Sequence, residues 1–350
     1  MTSELTVMMP VHNGGPYLRA AVESILAQTL SNLKLLIIDD GSQDGSGALL
    51  QELADADARI ELIRREKRGQ VATRNELLQR AQTEFVACAD ADDISLPTRL
   101  ARQLSIMKQD PELVALGCQL QVIDKDGRII GELRRKTGAA KVREAFLRGT
   151  AISQPSCMLR RSALLAIGGY RECYAHAEDY DMFLCIAEIG KVDNADFCGI
   201  HYRVHEASVS HRYAVRQMAS AELARATYAL RRAGEPDPTE GWQEAPAYDH
   251  PVMQKLVPSA ALYAALETVH EHPGEEPLLR LVSATFSRRQ QRHVQRALIE
   301  AVRRRQFDAL SARALMRALA LGPARFVRCY RSAARRPQRA AQAGRTAAAA

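Results

Sequence analysis

Short apolar runs, each ended by a turn, set the rhythm of the first 120 residues. Residues 5–11 (LTVMMPV) form one run, broken by His12-Asn13-Gly14-Gly15. Leu18, Val22, Ile25 and Leu26 then recur at the spacing of one buried helical face. Residues 33–39 (LKLLIID) predict a second buried strand that closes on Asp39-Asp40-Gly41-Ser42. A helix carrying Leu49, Leu50 and Leu53 comes next, then a strand at 60–63, a helix over 69–82 and a strand at 84–89. That fourth strand runs into Asp90-Ala91-Asp92-Asp93. Pro97 falls in the first turn of the following helix, where its missing N–H costs nothing. A run at 113–118 ends the series. Strands alternating with helices predict βαβ units and a mostly parallel sheet. Ligands of such sheets bind beyond the carboxyl ends of the strands, so both acidic clusters are expected on one rim.

The pattern then changes. Segments 119–123 and 128–132 flank Asp126-Gly127, the signature of a β-hairpin. A helix is expected over 176–189, with Glu178, Asp179 and Asp181 near its start, followed by strands at 192–197 and 199–204. From about residue 213 the chain reads as helix, interrupted at 234–251 by a stretch rich in Pro, Gly and acid. The expected division is a first domain at 1–212, a helical extension at 213–336, and a disordered Ala/Gly/Arg-rich end at 337–350.

Composition adds exclusions. Of 350 residues 47% are hydrophobic and 25% charged, ordinary values for a chain that buries a core. No apolar run nears the roughly 18 residues that a spanning helix needs. The start, MTSELTVMMPV, lacks the basic n-region of a signal peptide. Seven scattered cysteines, odd in number and without a C-x-x-C pair, read as reduced thiols rather than a disulfide framework or a zinc site. Together these point to a cytoplasmic protein. The net charge of +7 is uneven: −3 over 1–212, −5 over 213–279 and +15 over 280–350. An acidic body with a basic tail suggests that the tail meets something anionic.

Two carboxylates one residue apart at a strand end, Asp90 and Asp92, can approach one divalent cation. Hard oxygen ligands suit magnesium or manganese, which share coordination with substrate phosphates. Taken alone, the triplet is as readily a solvated turn, since turns and caps favour Asp. Asp39-Asp40 accepts hydrogen bonds only, which suits a base N–H or ribose hydroxyls rather than a pyrophosphate. A P-loop and a G-x-G-x-x-G after the first strand are both missing, so NTPase and hydride-transfer chemistry fit poorly.

In order along the chain stand Met9-Pro10-Val11-His12-Asn13, Asp39-Asp40-Gly41-Ser42, Arg68-Gly69 with Arg74-Asn75, Asp90-Ala91-Asp92-Asp93 with Pro97, Gly168-Gly169-Tyr170, Glu178-Asp179-Tyr180-Asp181, and Tyr202-Arg203-x-His205 with Ser208. Jointly, over about residues 4–211, this set resembles glycosyltransferase family 2 with its α/β GT-A fold. The resemblance implies a nucleotide-sugar donor, most simply a UDP-sugar, and a glycan or lipid-linked acceptor. It implies that Pro10, His12 and Asn13 line the nucleotide pocket and that Asp40 meets the uracil ring. Arg68 and Asn75 would border ribose and phosphates, Asp90 would lie near the ribose, and Glu178 would contact substrate. Asp92, with His205 beside it, would hold Mn²⁺ or Mg²⁺. Asp179 would be the general base of an inverting displacement. Many relatives carry tyrosine where this chain has His12. The Q-x-x-R-W motif of processive synthases is missing, and Trp242 lies outside any such context, so one sugar per reaction is expected. Two other readings compete: a nucleotidyltransferase, which would need basic residues after Gly14-Gly15, and a nucleotide-binding scaffold, which would not need a base.

Residues 280–336 mix arginine with apolar positions at near-helical spacing. A basic amphipathic helix can lie on an anionic membrane, each arginine near the surface contributing about 1 kcal/mol. A helix packed on the body with its arginines solvated has the same pattern. The tail carries no recognised module for specific nucleic-acid binding. The membrane reading places the chain peripherally on the inner face of the cell membrane. It predicts that the full chain floats with anionic liposomes and that a chain shortened to residues 1–279 does not; equal flotation of the two would sink it.

Overall fold

A computed structural model describes residues 3–205, 213–271 and Val294. The basic stretch 280–336, apart from Val294, and the tail 337–350 lie outside the described residues, as does Ser208. The predicted βαβ series is present. β1 (Leu5–Val11), α1 (Leu18–Leu26), β2 (Leu33–Asp40), α2 (Ser46–Ala56), β3 (Ile60–Arg65), α3 (Gln70–Arg80) and β4 (Phe85–Cys88) alternate as expected. Their strands pair in parallel in the order β3-β2-β1-β4. Helices cover both faces, so β1 and β2 are buried on both sides and read as continuous apolar runs. Leu5, Val7, Met9, Leu35, Ile37 and Ala87 form the centre of this core.

The second half of the sheet is mixed. β5 (Ile94–Ser95), α4 (Arg99–Gln109), β6 (Leu113–Ile123), β7 (Ile129–Leu133), α5 (Ala139–Phe146), β8 (Met158–Arg160), α6 (Arg161–Ala166), α7 (Glu178–Ile189) and β9 (Lys191–Arg203) follow. β8 is antiparallel to β4 and β6, while β9 runs parallel to β6. The hairpin predicted around Asp126-Gly127 is the β6–β7 pair. The strands expected at 192–197 and 199–204 are instead one strand, β9, with shifts of register against β6. Gly199 lies within this strand. It is a close approach, since a Cβ there would stand 2.5 Å from Cys118 Sγ.

The first compact unit ends at Ala245, beyond the boundary expected at 212. Its last helix, α8 (Ala214–Arg232), packs on α7. Tyr174 Oη hydrogen-bonds to Thr227 and Thr239 at 2.8 Å each. Arg171 pairs with both Asp181 and Asp237, and Arg231 pairs with Glu188 and Asp237. These buried polar links explain why the chain does not divide before α8. The second unit starts at Pro246 and contains α9 (Pro251–Leu256), capped by His250, and α10 (Ala260–Glu271). Among the described residues no helix is long and apolar enough to cross a membrane.

Two devices shape the rim. The turn after β4 is held by Arg99, whose fully buried guanidinium donates to Ser95 Oγ, Gln103 Oε1 and the Cys88 carbonyl. After α6, Gly168 and Gly169 both take positive φ, and their N–H groups return to the Leu165 and Leu164 carbonyls. Asn75 then brackets Tyr170, donating to its carbonyl at 2.8 Å and accepting its N–H at 2.9 Å. A Cβ on Gly169 would stand 2.5 Å from Asn75 Oδ1. Gly169→Ala therefore adds left-handed strain to a broken bracket and should cost about 2 kcal/mol in urea unfolding. An unchanged midpoint would show that this turn does not constrain the rim.

Candidate active site

The rim opens into a pocket of about 730 Å³ at the carboxyl ends of β1 and β4. Every residue expected at the site lines it except Arg68 and Asn75. Pro10, His12 and Asn13 lie where β1 ends. The loops after β1 and β2 are stapled together: Asn13 N–H donates to Ser42 Oγ, Gly14 N–H to Ser46 Oγ, Gly15 N–H to Asp44, and Gln43 N–H to Asn13 Oδ1. Asn13 has φ of 53°, a conformation that Asn tolerates. His12 Nδ1 lies 2.9 Å from the Asp40 carbonyl. A carbonyl only accepts, so Nδ1 carries the proton and Nε2 accepts from Asn13 Nδ2.

Asp39 and Asp40 divide differently from the expectation. Asp40 accepts the Arg68 and Gly69 N–H groups at 2.8 Å each and pairs with Arg65, so its carboxylate closes the loop after β3. Asp39 accepts the Ser42 N–H and lines a neighbouring cavity of about 600 Å³ with His12, Arg64 and Lys67. Arg68 sends only its N–H inward; its side chain is exposed and lies 3.8 Å from Glu76. Asn75 is spent on Tyr170.

The charge that organises the pocket sits beside Asn75. Arg74 is buried, its Nη1 2.6 Å from Glu178 Oε1 and its Nη2 3.9 Å from Asp90 Oδ1. The sequence reading missed it as a site residue. The signal was available: Val71, Arg74, Leu77 and Leu78 share the buried face of α3, so a cation there needs a buried partner. Glu178 is accordingly held by Arg74 rather than left free for substrate.

Burial pushes the Asp90 carboxyl up to about 6, with Arg74 opposing and Asp92 and Asp179 adding repulsion. Burial and the Glu178 carboxylate raise Asp179 to about 6 as well, again against Arg74. Asp93 turns away from the pocket. It accepts the Arg203 N–H at 2.8 Å, its other oxygen is buried without a partner, and burial beside Asp90 and Asp92 raises its carboxyl well above the ordinary range.

Asp92 Oδ2 and His205 Nε2 meet at 2.9 Å, although they come from β4's end and β9's end. Among the described residues no group of three or more His, Cys, Asp or Glu could hold a metal. A carboxylate oxygen and an imidazole beside open space still fit a Mg²⁺ or Mn²⁺ that takes its other ligands from phosphate oxygens and water.

Residues 6–168 match the model described as Glycosyl transferase family 2. This segment is a family 2 glycosyltransferase domain. The chain is 29% identical over 232 residues to the O-antigen biosynthesis glycosyltransferase WbnJ of Escherichia coli, covering 65% of this chain and 87% of WbnJ. It is 28% identical over 210 residues to the E. coli UDP-Glc:alpha-D-GlcNAc-diphosphoundecaprenol beta-1,3-glucosyltransferase WfgD, covering 59% and 79%. The crystal structure of S. aureus TarS 1–349 with UDP-GlcNAc superposes with a TM-score of 0.56 at 14% identity, covering 94% of this chain and 89% of that one. The glycosyltransferase has the GT-A fold that its resemblance implied.

Because Arg74 neutralises a buried Glu178, Arg74→Met should destabilise the enzyme by about 3–5 kcal/mol. Arg74→Met with Glu178→Gln should recover much of that loss. Denaturant midpoints of the single and double variants check this, and equal midpoints would deny the pair its structural role.

Proposed function

We propose that this glycosyltransferase is inverting and metal-dependent, and that it moves one sugar from a UDP-sugar to a hydroxyl of a glycan or lipid-linked acceptor in cell-surface polysaccharide synthesis. The observation that carries this reading is one pocket lined both by Asp179, which would serve as the base, and by Asp92 paired with His205, which would hold the cation. Asp179 accepts the proton of the acceptor hydroxyl at a carboxylate oxygen. The acceptor oxygen then bonds to the anomeric carbon from the face opposite the diphosphate, which leaves with the electrons of the broken C–O bond. Asp92 and His205 would hold the divalent cation, which supplies charge neutralisation for the departing diphosphate. A carboxyl raised to about 6 is a stronger base than an ordinary one and is still ionised at neutral pH.

UDP is favoured by two things. The names of WfgD and of the TarS complex specify UDP-sugars. The cavity beside the rim presents Asp39, an acceptor suited to a uracil N–H. WbnJ and WfgD supply the surface-glycan context and WfgD the lipid-linked acceptor. Such an acceptor is confined to a membrane, where the basic stretch 280–336 would hold the enzyme at the cytoplasmic face.

Calorimetry should show UDP binding that strengthens with manganese, and Asp92→Asn should lose that strengthening. Absence of UDP binding in both conditions would remove the donor assignment. Asp179→Asn should lower kcat by a factor of about 10² to 10⁴ while leaving UDP affinity unchanged. Turnover of the wild type should rise with pH through about 6, because the base works only when ionised. The raised carboxyl also means that the folded state holds a proton the unfolded chain releases, so this site's contribution to stability falls as pH rises from about 4 to 6. Asp179→Asn should therefore match or exceed the wild-type Tm at pH 7. Full activity in that variant would remove Asp179 as the base.

A further inference from the structure

Two cations of the large pocket, Lys67 and Arg135, are left over by this chemistry, and Arg135 is the one whose orientation is fixed. Arg135 follows β7 and lines the pocket beside Thr150 and Ser153. Its Nε and Nη2 both donate to Ser153 Oγ, at 3.1 and 2.8 Å, and its Nη1 donates to the Thr150 carbonyl at 2.8 Å. These three bonds fix the plane of the guanidinium and leave two of its five N–H groups for a ligand. Among the described residues no carboxylate comes within ion-pair distance of it, whereas Arg74, the pocket's other guanidinium, has Glu178 and Asp90. Burial lowers the Arg135 pKa from the ordinary arginine value, and the carboxylate that opposes this is Asp179, at longer range. An oriented, unneutralised guanidinium in a pocket is suited to a phosphate or carboxylate, which it binds through paired N–H groups.

We infer that the acceptor carries an anionic group and that Arg135 receives it on the Asp179 side of the pocket. This rests on the proposed transfer with Asp179 as base. The acceptor hydroxyl must reach Asp179, so an anion held by the cation that faces Asp179 belongs to the acceptor. The donor diphosphate is assigned to the metal that Asp92 and His205 would hold, and neither residue is bonded to Arg135. A second feature of the pocket suits a sugar. The rings of His176 and Tyr213 stack at 4.0 Å and within 7° of parallel, and both line the pocket. His176 has φ of 63°, and its carbonyl accepts from Gln217. The flat face of this ring pair suits the C–H side of a pyranose ring. The anion has two possible sources, the phosphate that joins a sugar to its lipid or the carboxylate of an acidic sugar.

The test uses the full chain saturated with UDP and Mn²⁺. It is titrated calorimetrically with the 1-phosphates of glucose, galactose and N-acetylglucosamine, with glucuronate and galacturonate, and with the methyl glycosides of the three parent sugars. At least one anionic probe should bind about tenfold more tightly than its neutral counterpart. Preference among the 1-phosphates identifies the lipid-linking phosphate, and preference among the uronates identifies an acidic sugar. Arg135→Gln should bring the anionic and neutral probes within about twofold of each other, Arg135→Lys should keep part of the preference, and UDP affinity should not change in either variant. No preference for any anionic probe, a preference that survives Arg135→Gln, or loss of UDP affinity in Arg135→Gln each overturns the inference and leaves the transferase reading standing. Failure of the wild type to bind UDP overturns both.

Discussion

Everything at the rim depends on one guanidinium holding carboxylates together that would otherwise repel. Asp90, Glu178 and Asp179 reach Arg74 from two elements far apart in sequence, and like charges in a partly buried site disfavour ionisation. Arg74 lies on α3 of the parallel half, and Glu178 begins α7 of the mixed half. Their ion pair ties the parallel half of the fold to the mixed half. It also separates two adjacent acids. Successive helical residues point about 100° apart, so Glu178 can face Arg74 while Asp179 faces the pocket. Glu178 stays engaged, and its charge helps to raise its neighbour into the range where a carboxylate is an effective base.

The same economy of adjacent residues recurs at both strand ends. Asp39 faces the smaller cavity while Asp40 closes a loop with its oxygens. Asp92 faces His205 while Asp93 turns to the Arg203 backbone. In each pair one carboxylate builds the loop that presents the other. That arrangement needs loops anchored by side chain-to-backbone hydrogen bonds, and the crossed staples between the β1 and β2 loops supply them.

Which features were legible in the sequence follows from these pairs. Strand–helix alternation is a local signal with a strong period, so the βαβ half, the acidic rim and the β6–β7 hairpin could be read directly. The motif order gave the family, and with it the pocket that Pro10, Asp92, Asp179 and His205 share. Which member of a pair does what was not legible. Where both faces of a strand are buried, alternation cannot say which face sees a ligand: Asp40 lines the larger cavity and Asp39 the smaller one. Asn75 was chosen over Arg74 because a motif marks a neighbourhood, whereas burial marks the residue. Arg135 sits in Arg134-Arg135-Lys136, which reads as solvated charge until Ser153 and Thr150 fold over it. The links that hold α8 to the body, such as Tyr174 to Thr227, span more than 50 residues and leave no local signal in the sequence.

The charge balance gives these local cations their weight. Residues 1–212 carry a net charge of −3, yet the proposed reaction brings a diphosphate to that body and expels it there. A long-range field of that sign opposes approach, so attraction must come from fixed charges at short range, where low dielectric strengthens them. Lys67 lines both cavities, Arg74 pairs with Glu178, and Arg135 lines the larger cavity together with Asp179. Arg74 is already neutralised by its own carboxylates and contributes little to an incoming anion. Under the proposed reaction Asp92 and His205 would recruit two further positive charges with a divalent cation and surrender them when it leaves. A pocket of this kind has low affinity for a diphosphate without metal and gains it with metal. In the proposed mechanism, negative charge around Asp92 would therefore couple donor binding to the metal rather than be a flaw in the electrostatics of the site.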